Sequence, residues 1–148
     1  TEGSAVSSSQ RESGYIRALN EHRIPINPDY IYKGTYDYWH GGIAMEHFAS
    51  LENRPTAVFA ISDILAMNAI RKACELGLKV GSDISVMGFD NITMCEMMNP
   101  TVSTVEQPCA RMGELVVQKL IDNFSSSNKD NKYYTVEHKV ILRESTGD

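Results

Sequence analysis

The chain has no apolar run near the ~18 residues needed to cross a bilayer, so membrane insertion is not expected. Cysteine is scarce. Cys74, Cys95 and Cys109 are odd in number, far apart, and form no Cys-x-x-Cys pair. That excludes a disulfide framework and points to a reducing compartment, the cytoplasm. No signal peptide is visible, and the sequence opens on Thr1 rather than Met. Positive charge is also short: 14 Lys and Arg against 19 Asp and Glu give a net charge of -5. Bulk electrostatics therefore draw no nucleic acid to this chain. His22, His40, His47 and His138 have no metal-ligand spacing and read as surface histidines. Gly-x-Ser-x-Gly, P-loop and Gly-x-Gly-x-x-Gly patterns are missing. With no nucleophile set beside a base, neither an enzyme nor a cofactor or metal is expected.

What is present suits one soluble domain with a proper core: 148 residues, 42% hydrophobic, mean hydropathy -0.29. Thr1 to Gln10 reads as a Ser-rich loop. Arg11 to Arg23 reads as a helix with Tyr15, Ile16 and Leu19 on one face, stopped by Ile24-Pro-Ile-Asn-Pro28. Tyr30 to Gly34 reads as a short strand. Asp37 is placed to cap a second helix whose stripe is Ala44, Met45, Phe48 and Leu51, and Gly41-Gly42 permits close packing of that helix. Thr56 to Ile61 is a continuous apolar run, as expected of a strand covered on both faces. A helix follows, with Asp63 at its start and Gly77 at its end. Ile84 to Phe89 and Thr101 to Glu106 read as further extended pieces. Pro108 suits the first turn of a helix reaching about Phe124, with Met112, Leu115, Val116 and Leu120 inward. Ser125 to Lys132 is polar, and Tyr134 to Leu142 alternates as a last strand. Strands alternating with helices imply an α/β fold with a mainly parallel sheet and flanking helices.

In such sheets ligands gather where strands end. Polar and aromatic groups recur at those places: Arg11, Tyr36, Ser62, Asp63, Asp90 and Gln107. They suit a small polyhydroxylated ligand. Arg donates a fork of hydrogen bonds, Asp accepts from hydroxyls, and an aromatic ring packs on the apolar face of a sugar. Each has a plainer reading as well. Asp63 caps its helix, Arg11 is a solvated charge, and Asp90 forms a turn with Asn91.

Several segments resemble, in order, the effector-binding domain of the lactose-repressor/galactose-repressor family of bacterial transcription regulators. They are Arg11-Glu-Ser-Gly14-Tyr15, Gly34-Thr-Tyr36, and Arg54-Pro-Thr-Ala-Val-Phe-Ala-Ile-Ser-Asp63 with Leu65-Ala66-Met67. Gly81-Ser-Asp-Ile-Ser-Val-Met-Gly-Phe-Asp-Asn91, Pro100 to Pro108 and Leu142-Arg-Glu-Ser-Thr146 complete the set. The resemblance implies a fold like that of type I periplasmic binding proteins, with the ligand between two α/β subdomains. Residues 1–148 would be an incomplete effector-binding domain, a fragment, mostly its C-terminal subdomain. About 101–124 would belong to the crossover into the N-terminal one. The resemblance also implies that Arg11, Tyr36, Ser62, Asp90 and Gln107 line the cleft. Arg11 and Asp90 would be the firmest contacts and Tyr36 a stacking ring. Ser62 stands where the best-known relatives have Asn, and Gly81 where Pro is usual. The family's dimer interface falls on Met67, Met97 and Met98, adaptable side chains for such a surface, although Met67 also suits a core. Operator DNA would be bound only through an N-terminal helix-turn-helix headpiece, which these residues do not contain.

The partners so implied are a small sugar or related metabolite and a second copy of the chain, with no membrane. A sugar-binding protein serving a transporter shares the fold and is the second reading. A small α/β enzyme is the third.

Overall fold

The computed structural model describes residues 2–125 and 133–147. Four strands form one sheet in the order β1-β2-β3-β4: β1 is Ala57–Phe59, β2 Ser85–Asp90, β3 Ser103–Glu106 and β4 Lys139–Ile141. The first three run parallel, with Val58 beside Val86 and Gly88 beside Thr104, and β4 returns antiparallel to β3. The helices are α1 Glu2–Glu21, α2 Trp39–Ser50, α3 Asp63–Glu75, α4 Met94–Met97 and α5 Cys109–Ser125. The expected α/β class and mainly parallel sheet are therefore present. No described helix is long and apolar enough to cross a membrane.

Residue chemistry explains most of the boundaries. α1 starts well before the expected Arg11, so residues 2–10 are helical rather than a loop. Ser is a modest helix former rather than a breaker, and the Ser13 hydroxyl bonds back to Ser9 O at 2.8 Å. α1 ends in a 6→1 and 5→2 pair of bonds, Ile24 N to Leu19 O and Arg23 N to Asn20 O, with Arg23 at φ 57°. α3 ends in the same way, Leu78 N to Ala73 O and Gly77 N to Cys74 O, with the expected Gly77 at φ 78°. At the start of α2 the Asp37 side chain caps nothing. Its carboxyl takes the Thr35 hydroxyl at 2.7 Å, and Tyr38 is the residue that precedes the helix.

The core lies where α3 packs on β2 and against α2. It holds Met45, Ala66, Met67, Ile70, Ile84, Val86, Cys95 and Val102. Fully burying a side chain such as Ile70 contributes about 1.5–3 kcal/mol. The helices approach closely through Gly41 and Gly42. A Cβ on Gly41 would stand 2.0 Å from Leu65 O, and Gly42 N–H donates to Asn68 Oδ1 at 2.6 Å. The last described residues lock the sheet from one end. Ser145 Oγ donates to Val86 O at 2.6 Å and accepts from Ser103 N at 2.8 Å.

Other expected elements differ too. The Thr56 to Ile61 run is not covered on both faces, because Ala57 and Phe59 of β1 are exposed toward the cleft. Of Tyr134 to Leu142 only Lys139–Ile141 joins the sheet, paired with β3. Pro28–Tyr30 forms a 3-10 turn, and the residues after it up to Gly34 join no ladder. A strand exists only where an edge accepts it, and a cleft separates this segment from β1. The stripe Met112, Val116 and Leu120 on α5 is exposed rather than inward, and Leu115 is half-buried. The periodicity is helical as expected, but the face borders an open trough with Phe89, Val105, Tyr133 and Tyr134.

Candidate ligand site at the strand ends

Because β1, β2 and β3 are parallel, their carboxyl ends share one edge of the sheet. The segments leaving that edge are Ile61-Ser62-Asp63, Asp90-Asn91-Ile92 and Gln107-Pro108. Residues distant in sequence meet there. Arg11, from α1, donates to Ile61 O at 2.5 Å and lays its guanidinium 3.9 Å from the centre of the Phe89 ring. Such a cation over an aromatic face is favourable by about 0.5–2 kcal/mol. Phe89 in turn meets Phe59 edge-on, centroids 6.4 Å apart. Gln107 Nε2 donates to Asp90 Oδ1 at 2.5 Å.

Tyr36 completes the group. Its hydroxyl is 2.7 Å from Ser8 Oγ. Burial raises its pKa, but hydrogen bonds with Ser8 and Ser7 and the nearby Arg11 charge lower it further than burial and Asp90 raise it, so the phenol lies below its usual value. Tyr36 thus sits in the fields of both Arg11 and Asp90. A cleft of about 720 Å³ opens between β1 and residues 30–36, and Arg11, Tyr15, Tyr36 and Phe59 line it. Gln107 faces instead the trough beside α5.

Asp90 and Asn91 carry the most unusual backbone in this region, with φ 119° and 56°. Non-glycine residues in such conformations cost about 1–3 kcal/mol each and persist where surrounding bonds impose them. Asn91 N–H donates to Thr104 Oγ1 at 3.3 Å, and Ile92 N–H to Asp63 Oδ2 at 2.9 Å. Arg143 spans the same turn, donating to Asn91 Oδ1 at 3.0 Å and to Val102 O at 2.7 Å.

Arg11, Tyr36, Asp90 and Gln107 are accordingly drawn to one edge. Ser62 is beside them, but its hydroxyl is the N-cap of α3, accepting from Leu65 N at 3.4 Å. Asp63, expected as that cap, is buried and turned inward toward Ile92 and Thr104. A single polar step separates cap from core here, and nothing local to Ser62-Asp63 decides which residue takes which role. Sequence reasoning misses Thr104 and Arg143 as residues that shape the site. Their only signal is membership of the Thr-Val-Ser-Thr-Val and Leu-Arg-Glu-Ser-Thr segments. At the expected dimer face Met97 is 76% exposed, but Met67 is 5% exposed within the core and Met98 packs against it. Met94, not Met67, accompanies Met97 at the surface. No cluster of metal-ligating side chains occurs among the described residues.

A model of the periplasmic binding protein-like domain matches residues 1–146. The HTH-type transcriptional repressor PurR of Yersinia pestis (strain Pestoides F) is 38% identical over 138 residues, covering 93% of this chain and 40% of that protein. The chain thus spans about two fifths of the length of such curated relatives. The crystal structure of a regulatory protein of the LacI family from Chloroflexus aggregans superposes with a TM-score of 0.85 at 31% identity, covering 91% of this chain and 49% of that one. A sugar-binding transcriptional regulator of the LacI family from Escherichia coli, complexed with phosphate, superposes with a TM-score of 0.83 at 28% identity, covering 93% and 49%. The chain belongs to the periplasmic binding protein-like domain family, in the form carried by transcription regulators of the lactose-repressor/galactose-repressor type.

Proposed function

We propose that this chain is the effector-sensing and dimerising part of a cytoplasmic bacterial transcription regulator. It holds a small sugar-like ligand at the strand ends, and occupancy controls operator binding by the whole protein. The observation that carries the reading is the convergence of Arg11, Tyr36, Asp90 and Gln107 on the carboxyl edge of three parallel strands, with Asp90 held at φ 119°. Arg11 offers a fork of donors to ligand hydroxyls. Asp90 accepts from hydroxyls, with Gln107 fixing its other lone pairs. Tyr36 supplies a flat face for the apolar side of a sugar ring. Ser62, engaged as a cap, contributes least. The similarity to repressors and to a sugar-binding regulator supports this reading over a transporter-serving binding protein. Operator DNA is contacted through another part of the regulator, and no catalysis is involved.

Dimer formation falls to the face of α4, where Met94 and Met97 are exposed. The test is calorimetric titration of a panel of mono- and disaccharides into the full-length regulator and into its Arg11→Ala and Asp90→Ala variants. Each substitution leaves a buried ligand group unpaired, about 1–3 kcal/mol, so affinity should fall by about fivefold to about a hundredfold. Undiminished affinity in both variants, or no heat with any sugar, would overturn the reading.

A further inference from the structure

Asp63 is buried to 1% exposure at the first position of α3, yet the helix does not need its side chain there. Ser62 already caps the helix. A carboxyl taken out of water is costly unless hydrogen bonds replace its hydration. Here they come from β3 and from the segment that follows β2. Asp63 Oδ1 accepts from the Thr104 hydroxyl at 2.5 Å, and Oδ2 accepts from Ile92 N–H at 2.9 Å. The Cys95 thiol of α4 lies beside the same carboxyl, which helps to raise the thiol pKa.

Three unrelated features of the sequence then share one explanation. Gly88 has an ordinary β conformation, but a Cβ there would lie 2.3 Å from Asp63 Oδ1 and 3.0 Å from its Cα. The glycine of Val-Met-Gly-Phe-Asp is the space into which Asp63 fits. Thr104 lies opposite Gly88 in β3, and its hydroxyl accepts from Asn91 N–H while donating to Asp63. The two consecutive amides after Asp90 therefore both end on Asp63, one directly and one through Thr104. Two successive residues with positive φ need such an external hold.

We propose that Asp63 is a positioning residue, whose carboxyl, directly and through the Thr104 hydroxyl, fixes the Asp90–Ile92 turn and so sets the direction in which Asp90 faces its ligand. The clause about the ligand rests on the function proposed above, whereas the hold on the turn does not. Asp63 itself touches no ligand.

The experiment is residue-resolved amide hydrogen exchange by NMR on the 148-residue chain, comparing Asp63→Asn, Thr104→Val and Thr104→Ser. In Asp63→Asn, exchange at Asn91 and Ile92 should rise at least about tenfold, the loss of roughly one hydrogen bond, while Ile70 and Val86 keep their protection. Thr104→Val should open Asn91 alone, and Thr104→Ser should restore it. The carboxyl carbon resonance of Asp90 should move in Asp63→Asn and in Thr104→Val but not in Thr104→Ser. Unchanged exchange at Asn91 and Ile92, or uniform acceleration that includes Ile70 and Val86, would overturn the proposal. If Asp63→Asn does not fold, the Thr104 pair decides alone, because Val without effect or Ser without rescue also overturns it. A chain that shows the local opening yet binds no sugar in the titration loses the effector reading and keeps the clamp.

Discussion

Arg143 and Asn91, 52 positions apart, are joined by a 3.0 Å hydrogen bond from the guanidinium to the Asn side-chain oxygen. The same guanidinium donates to Val102 O and, on its outer side, to Glu96. Its side chain is only 12% exposed. A planar fork that meets three acceptors at once is a task for Arg and not for Lys.

Arg143→Lys should therefore not rescue Arg143→Ala. Both leave Val102 O or Asn91 Oδ1 short of a donor, and each unsatisfied group costs about 1–3 kcal/mol. Urea unfolding should show a loss of about 2–4 kcal/mol for Arg143→Ala. A loss confined to a few tenths would mean that water replaces the fork.

Two glycine-to-alanine substitutions should act in opposite directions. Gly41→Ala drives a methyl group to within 2.0 Å of the Leu65 carbonyl, and only separation of α2 from α3 relieves it. Stability should fall by more than about 2 kcal/mol. A methyl group added at Gly113, inside α5, would meet no neighbouring atom within 4 Å. Gly113→Ala should stabilise by about 0.5–1 kcal/mol through helix propensity. Thermal denaturation of both variants reads the contrast directly.

Cys95 should be chemically inert in the native state. Burial raises its pKa most, and a hydrogen bond to Asp63 and the Asp63 charge add to it, against smaller opposing effects of Arg143 and the Ile92 backbone. The result is a shift from 9.0 to about 12. A thiol-alkylating reagent at about pH 8, near the ordinary thiol pKa, should label Cys74 and Cys109, which are exposed, and spare Cys95 until the chain unfolds. A pKa raised in the folded state gives stability that is complete below the unfolded value and lost as pH climbs through the folded one. Wild-type stability should thus fall between pH 9.0 and about 12 relative to Cys95→Ala, with a slope approaching about 1.4 kcal/mol per pH unit. Equal slopes for the two proteins would show that Cys95 titrates normally.

Self-association should run through the α4 face. Met97 is 76% exposed and Met94 47%, side chains that a lone chain leaves in water. Light scattering at micromolar concentration should report a dimer for the wild type and a monomer for Met97→Lys. If Met97→Lys stays dimeric and Phe124→Ser, on the equally exposed apolar side of α5, becomes monomeric, the interface lies there instead.

Elements fixed by local chemistry are legible in the sequence. Gly77 ends α3 because a left-handed residue must close that helix. Val86 and its neighbours form a strand as expected, with Val86 and Gly88 buried on one face and Met87 and Phe89 partly buried on the other. Sequence and structure part where a tertiary partner decides. Tyr30 to Gly34 has strand composition but no edge to join, and Met112 and Val116 have helical spacing but little to pack on. For the site, strand ends and residue types point to Arg11, Tyr36, Asp90 and Gln107. The division of labour between Ser62 and Asp63 depends on Gly88 and Thr104, 25 and 41 positions beyond Asp63. No local pattern can carry that.

The Ser145 and Arg143 contacts have a consequence for timing. The turn that presents Asp90 is held by groups at 63, 104 and 143, and the sheet beneath it is bolted by Ser145 to Val86 and Ser103. During synthesis, the strands that frame the site emerge long before its last fasteners. A nascent chain halted before residue 143 would hold the Asp90 turn through Asp63 and Thr104 alone. On the function proposed above, proteolytic cleavage after Ile141 would remove the Arg143 and Ser145 contacts and weaken ligand binding without touching any residue proposed to meet the ligand.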